Sequence, residues 1–481
     1  MIELSFCIGL ILIILYGLFS MSIDGSYEIS NKNDPIKRVN LYLKDVYFFA
    51  KIWPMMLLLG YIVDYPIEMN ELNISFFEKS ISTFAFQFHG IDVLLIILTV
   101  IIMQSFKSFE SVLLLLLAFI GQLLMLHSCD LVTFYICLEA QNFCFLVLCG
   151  LQPRVLKYST SRGSRPLVGV EASIKYLLLS AFSSGVLLFW FSILYLRTGI
   201  TTLSWGPLNS MSFEGTTLFD IIPQMMILIA LMFKLGGAPL HIWMVDIYSG
   251  VKRQLLMYLS TAPKLSLFGF WISTWHSVWT DFTLFLFVAL SMIIGCFGAY
   301  NQPTLRALFA YSTINEIGLM LMAIETAGFH SMFQHLSIYI ITMILLWNIT
   351  DHRMFSIIAI SLAGLPPLAG FFGKAWIFNS VAIGSMAGPY LGLLLISLFC
   401  TGLSLVYYLR VFRLFTMSNQ VNHNNIIYPV GVDGSVGNPY NMSVVSRTYN
   451  TQIIDLNVKM SSFCVIFLMF APLFYIKPFV L

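Results

Sequence analysis

Apolar runs of about 20 residues, the length a helix needs to cross a bilayer, recur from one end of this chain to the other. Windows bounded by polar breaks predict about fourteen helices, centred near 4–20, 46–63, 88–106, 110–127, 130–150, 172–196, 219–235, 254–275, 281–299, 304–324, 331–350, 354–382, 389–415 and 460–477. Two polar inserts interrupt the pattern, 21–45 and 416–459, and the second is rich in Asn, Ser and Gly and reads as loop. The expected fold class is an all-α polytopic membrane protein.

Composition agrees with the pattern. Of 481 residues 58% are hydrophobic and 10% charged, where a soluble chain carries about a quarter charged. A sizeable soluble domain has no room here, and a net charge of +2 gives no case for nucleic-acid binding. The start, MIELSFCIGLILIILYGLF, lacks an arginine-rich presequence and a small-residue cleavage site, so it is expected to be a retained first helix. The cysteines lack zinc or redox spacing, and Cys129, Cys137, Cys144 and Cys149 crowd one predicted helix as small apolar groups. Phe outnumbers Ala, as AT-rich organellar coding produces.

Basic residues orient the spans. Seventeen of the 25 Lys and Arg fall in connections after odd-numbered spans, three on the other side and five within spans. The positive-inside rule then places both termini on the outer side, the intermembrane space or periplasm.

Within the spans lie Lys51, Lys175, Lys234, Lys264 and Lys374, and the acids Glu139 and Glu316. Lys51 and Lys175 sit near predicted helix ends, where an ammonium can snorkel to the interface. Lys234, Lys264 and Lys374 lie deeper, where each charge costs about 2.5–3.5 kcal/mol on insertion scales. Glu139 and Glu316 could neutralise lysines as structural ion pairs, but buried pairs add little net stability, which favours a proton-handling role. Desolvation drives a lysine toward its neutral form and a nearby carboxylate restores its charge, so such a group can load and unload a proton.

Helix breakers stand beside two of these lysines. MFKLGGAPLHIW places Gly236, Gly237 and Pro239 directly after Lys234, and LAGLPPLAGFFGKAWIF places Gly364, Pro366 and Pro367 before Lys374. Broken backbone at membrane depth is tolerated only inside protein or along a wet cavity, and paired breaks mark the path of an inverted-repeat transporter. Counting five spans per unit gives a first repeat over 109–275 and a second over 276–415, preceded by spans 1–3 in 1–108 and followed by a polar loop and last helix in 416–481. In each unit the second span carries the acid and the fourth the break and lysine; Lys264 has only Arg410 as a counterpart.

Other polar groups say less. The surroundings of His335 favour a packed imidazole over a relay, while His241, after the first break, is balanced between an interfacial side chain and proton uptake. Glu171 and Lys175 are spaced i,i+4 as a local pair. No P-loop, Rossmann fingerprint, haem-attachment motif or Ser-His-Asp order occurs.

The stretches DLVTFYICLEAQ, VEASIKYLLLSAFSSG, FKLGGAPLHIWMVDIYSG, LSTAPKLSLF, LRALFAYSTINEIG and SLAGLPPLAGFFGKAWIF follow one another between about 109 and 415. In order and spacing they resemble the antiporter-like membrane subunits of respiratory complex I, in its chain 2 branch. The resemblance implies fourteen helices, two inverted five-helix repeats, and proton translocation driven by quinone reduction elsewhere. It matches Glu139 and Lys234 to the family's helix-5 glutamate and helix-7 lysine, Lys175 and Lys264 to its central proton path, and Lys374 to the helix-12 lysine. The chain 4 branch usually has glutamate at that last position. It also implies no cofactor in this chain, with NADH, FMN, iron–sulfur clusters and ubiquinone on other subunits. Partners are then the membrane and peripheral subunits of the complex and lipid, in the mitochondrial inner membrane or a bacterial one. Glu316 departs from the family, which usually has histidine there, and Ser249 with VKRQ replaces an acidic, proline-rich stretch. A subunit of a multi-subunit cation/proton antiporter, and a scaffold retaining idle ion pairs, are the competing readings.

Overall fold

The computed structural model describes residues 8–15, 52–54, 92–103, 109–128, 130–151, 168–199, 201, 218–271, 281–326, 328–348, 352–366, 368–384 and 389–421. The spans predicted at 46–63 and 460–477 and the inserts 21–45 and 416–459 lie wholly or largely outside these residues, as do Lys51 and Cys129. Every extended element among the described residues is helical. We label Phe109–Leu126 α1, Leu131–Leu151 α2, Val168–Thr198 α3, Leu218–Leu235 α4, Ile242–Gly250 α5 and Arg253–Phe270 α6. Asp281–Asn301 is α7, Leu305–Glu325 α8, Phe329–Asn348 α9, His352–Ala363 α10, Ala369–Gly384 α11 and Pro389–Val421 α12. Six of the described helices are long and apolar enough to span a membrane.

Most predicted spans reappear within a few residues, and the differences have local causes. The span expected near 354–382 is two helices, because Gly364 and the following prolines end α10 before α11 begins. The span near 172–196 begins earlier, at Val168, which puts Lys175 about two turns inside α3 rather than at its end. The last described helix continues to Val421, past the expected loop boundary at 416.

The chain divides into two units. One comprises Met1–Gln152, Tyr195–Ser212 and Tyr258–Ser277; the other comprises Pro153–Leu194, Phe213–Met257 and Val278–Leu481. In the first, α1 and α2 pack closely enough that a side chain on Gly121 would meet the Cys137 carbonyl at 3.1 Å. Phe134 stacks on Phe270 with ring centroids 3.8 Å apart, and Tyr258 Oη donates to Gln122 Oε1 at 2.8 Å, satisfying a phenol in an apolar core.

The second unit is built around α8, whose apolar window is 94% buried, against 28% for α12. That difference makes α8 the centre and α12 a flank whose exposed Leu391, Leu395, Phe399 and Leu414 suit lipid or a neighbouring chain. The α7–α8 hairpin relies on missing side chains. A Cβ on Gly295 would lie 2.6 Å from the Asn315 nitrogen, one on Gly298 2.3 Å from the Tyr311 ring, and one on Gly318 2.5 Å from Ser291 Oγ. Hydrophobic burial offers little between helices in lipid, so such close backbone approach supplies the attraction through dispersion. Around this pair, α9 meets α11 through Ser331 and Ser380, whose hydroxyls are 2.9 Å apart, and α10 meets α12 through Phe355 and Phe415.

Overpacking at such a contact destabilises by about 1–3 kcal/mol. Gly318→Val should therefore reduce the amount of assembled complex on a blue-native gel, whereas Gly392→Ala, at an α12 site with open space around it, should not.

Candidate functional site

Two helices end in the same way, and their ends organise the second unit. At the end of α4, Gly236 takes φ +78°, its N–H donates to the Phe233 carbonyl at 3.2 Å, and Gly237 N–H donates to Met232 at 2.9 Å. This is a Schellman cap with glycine at the left-handed position, and it stops the helix just beyond Lys234. At the end of α10, Gly364 takes φ +84° and its N–H donates to Ser361 at 3.0 Å. Each break exposes carbonyls that need new donors. After α4 the Trp243 indole donates to Phe233 O at 2.8 Å; after α10 the Lys374 ammonium donates to Leu362 O at 2.7 Å. The second break thus places a carbonyl, Leu362 O, directly against a lysine.

Lys374 also approaches Glu316 Oε1 at 3.0 Å, and His335 Nε2 lies 2.8 Å from Glu316 Oε2. The three side chains come from α11, α8 and α9 and are all nearly inaccessible. Glycine makes the approach possible, since a Cβ on Gly373 would lie 2.7 Å from His335 Nδ1. Lys374, Glu316, His335 and Tyr339 line a cavity with room for about one water molecule. At 3.0 Å and an effective dielectric near 20 the Glu316–Lys374 attraction is about 5 kcal/mol. Desolvating two ions costs several kcal/mol each, so the pair is close to neutral for stability. Chemically, one carboxylate is shared between two groups that can each hold a proton, beside space for water.

The remaining predicted residues divide between the units. Lys234, at the end of α4, donates to the Ser180 carbonyl at 3.1 Å. Lys175 is paired with Glu171 and with Asp246, both at 2.9 Å, and its side chain is 42% exposed, so it belongs to an accessible ionic cluster. Its expected i,i+4 pair with Glu171 is present. His241 is buried between α4 and α5, with its ring 5.6 Å from that of Tyr311. These groups lie in the second unit; Glu139 and Lys264 lie in the first. Glu139 is partly buried on α2 and accepts from Asn142 Nδ2 at 3.0 Å, and Lys264 is buried in α6 just after Pro263.

His335, expected to be a satisfied packed ring, is buried with Glu316 as its partner, and the sequence reading overlooked Asp246. The second had a visible signal, an acid in the HIWMVDIYSG stretch just after a helix break. Cys137, Cys144, Cys149, Cys296 and Cys400 are buried thiols, in keeping with their expected packing role. Among the described residues no group of His, Cys, Asp and Glu is arranged to hold a metal ion.

Comparison with known proteins defines the class. Residues 128–354 match the family model described as "NADH:quinone oxidoreductase/Mrp antiporter, TM". The chain shares its fold with a chain of respiratory complex I from Thermus thermophilus with bound Aureothin, at TM-score 0.67 and 19% identity over 97% of each chain. It shares it almost equally with a chain of the Mrp complex from Dietzia sp. DQ12-45-1b, at TM-score 0.65 and 15% identity over 85% of this chain and 79% of the other. Fold alone therefore does not separate the two kinds of complex. Sequence does: the chain is 45% identical to NADH-ubiquinone oxidoreductase chain 2 of Chlamydomonas reinhardtii over the full length of both. It is 30% identical to NADH-quinone oxidoreductase subunit N of Pelagibacter ubique over 69% of this chain and 75% of the relative. The chain belongs to the chain 2/subunit N family of complex I antiporter-like membrane subunits.

Two outcomes follow from the geometry. A left-handed backbone costs a residue with a side chain about 1–2 kcal/mol, so Gly236→Ala should lower the thermal stability of the complex while Gly237→Ala is nearly neutral. Lys374→Met leaves Glu316 without its cation, a loss of about 3–5 kcal/mol. It should lower the temperature at which the complex dissociates more than the double variant Glu316→Gln/Lys374→Met does.

Proposed function

We propose that this chain translocates protons as a membrane subunit of complex I, using buried Glu and Lys side chains as loading sites. The observation that carries the proposal is the Glu316 carboxylate held between Lys374 and His335 beside a helix break. A static pair of that kind contributes little stability, whereas a lysine and a carboxylate that exchange partners move a proton between them.

The finer architecture goes with this reading. We assign fourteen helices and two inverted repeats, 109–275 and 276–415, with both termini outward. The two glycine-capped breaks, at Gly236 and Gly364, support the repeat because each stands next to a proline and a lysine. Glu139 and Lys234 are each assigned proton transfer in the first repeat, and Glu316 and Lys374, with His335, the loading site of the second. Lys264 and Lys175 are assigned to the path between sites, with His241 at proton uptake. Electron transfer from NADH to ubiquinone is assigned to other subunits, which hold its cofactors. The membrane is the mitochondrial inner membrane or a bacterial one. The likeness to the Mrp complex favours a second reading, a cation/proton antiporter subunit; co-purification with flavin and iron–sulfur subunits decides between them.

Lys374→Arg tests the role. It keeps the positive charge beside Glu316, but guanidinium does not release its proton at accessible pH. The variant complex should assemble normally and, in proteoliposomes, pump fewer protons per electron than the parent. A full proton-to-electron ratio in the arginine variant would show that only fixed charge matters there, and would sink the proposal.

A further inference from the structure

Arg410, on the exposed flank of the second unit, is held in one orientation. Its Nη1 donates to Tyr300 O at 3.2 Å, and its guanidinium carbon lies 4.8 Å from the centroid of the Tyr300 ring. One of five N–H donors is engaged there, and the guanidinium is paired with no carboxylate among the described residues. Arg413, three residues further along α12, is exposed on the same side.

Helix length sets the depth of this pair. Arg410 stands about 32 Å along α12 from Pro389, and Tyr300 about 29 Å along α7 from Asp281. The two helices run side by side in one direction, with Cys296 Sγ donating to Cys400 O at 3.2 Å before Tyr300 meets Arg410. A hydrocarbon core about 30 Å thick therefore separates their starts from the headgroup layer at which Tyr300 and Arg410 arrive together. Arg306 Nη1 donates to Val251 O at 2.6 Å, which adds Lys252 and Arg253 to the same end. None of the stretches 249–256, 300–310 and 405–421 contains Asp or Glu. Below the arginines the face is apolar: Phe399, Gly402, Val406, Arg410 and Arg413 fall within about 80° of one another around α12. Phe399 and Val406 are 61% and 45% exposed, and a Cβ on Gly402 would have nothing within 4 Å. One leaflet of hydrocarbon, about 15 Å, corresponds to about ten residues of helix, the distance from Arg410 back to Cys400.

We propose that Arg410 and Arg413 hold the phosphate of an anionic phospholipid of the inner leaflet, whose acyl chain lies along Val406, Gly402 and Phe399. Guanidinium presents its N–H groups in a fork that matches phosphate oxygens. Anchoring on Tyr300 fixes the Arg410 fork before a lipid arrives, so little side-chain freedom is lost on binding. Each basic residue at the membrane surface favours an anionic headgroup by about fivefold. Cations at headgroup level above one leaflet's depth of exposed apolar surface match the two parts of a lipid. A partner helix would cover the apolar stripe, but it would also have to bring acids to the membrane surface. The site stands whether or not the chain moves protons.

The test uses the assembled complex in phosphatidylcholine vesicles carrying a minor fraction of photoactivatable phosphatidylglycerol. A parallel sample carries photoactivatable phosphatidylcholine with the same acyl chain. After illumination, labelled peptides of α12 are quantified by mass spectrometry. We expect the phosphatidylglycerol probe to label the stretch 399–406 well above the phosphatidylcholine probe. Arg410→Gln/Arg413→Gln should cut that excess roughly 30-fold, about fivefold for each arginine. Arg410→Lys/Arg413→Lys should keep most of it, and excess inorganic phosphate should leave it unchanged. Equal labelling by the two probes in the parent complex overturns the site, as does an undiminished excess in the assembled glutamine variant. No label on α12 from either probe assigns this face to a neighbouring subunit and also overturns it. Loss of label to inorganic phosphate would mark a site for the free ion instead of a lipid, with the same result. The comparison of probes is made on the parent complex, so it decides even where a variant assembles poorly, and pumping enters none of these readings.

Discussion

A carboxylate buried among three helices, with one lysine and one histidine to compensate it, is the constraint on which the second unit depends. Glu316, Lys374 and His335 stand on α8, α11 and α9, so their mutual distances fix how those helices meet. Small residues allow that meeting. Gly318 and Gly295 let α7 lie against α8, and Gly373 lets α11 approach the His335 ring. The pair itself is nearly neutral for stability, since about 5 kcal/mol of attraction is offset by desolvation.

The two helix breaks solve one problem with two different donors. A Gly cap ends α4 and α10 at the left-handed position, and each leaves a carbonyl to be satisfied in apolar surroundings. Trp243 supplies an indole N–H at the first, a donor that carries no exchangeable charge at ordinary pH. Lys374 supplies an ammonium at the second, and so couples the broken helix directly to Glu316. The break at Gly364 is thus part of the site, and the break at Gly236 is a neighbour of Lys234, whose ammonium turns instead to Ser180 O.

Features that stand out along one dimension were legible in the sequence. A lysine in an apolar run, Gly-Gly before Pro, and an acid at membrane depth each break a pattern locally, and Lys234, Lys374, Glu139 and Glu316 were found that way. The pairing of Glu316 with His335 was not, because the two stand on different helices and a histidine in an apolar helix is commonly just packed. Asp246 escaped for a similar reason: its partner Lys175 lies 71 residues away, on a helix whose start the hydropathy pattern placed too late. Hydroxyls are the least legible of all. Ser and Thr in helices routinely bond back to their own backbone, as Ser312, Ser331 and Thr342 do here, so nothing along the chain distinguishes one hydroxyl from another.

Sharing a fold with a chain of the Mrp complex means that the fold alone does not decide which kind of complex the chain serves; the local energetics at the buried ionic cluster set how its charges can rearrange. Glu316 sits on a helix that close packing against α7 holds in place. Lys374 carries its charge at the end of a four-carbon stem and has two acceptors, Glu316 at 3.0 Å and Leu362 O at 2.7 Å. Swinging away from Glu316 until the carboxylate lies about 6 Å away would halve the attraction, a change of nearly 3 kcal/mol at an effective dielectric near 20. That corresponds to about a hundredfold change in an equilibrium. Leu362 O, already an acceptor of the ammonium, would keep it hydrogen-bonded throughout, so the swing would leave it with a partner. A rotamer change of one side chain, with the helices fixed, is then enough to change the field at the Glu316 carboxylate by about that amount.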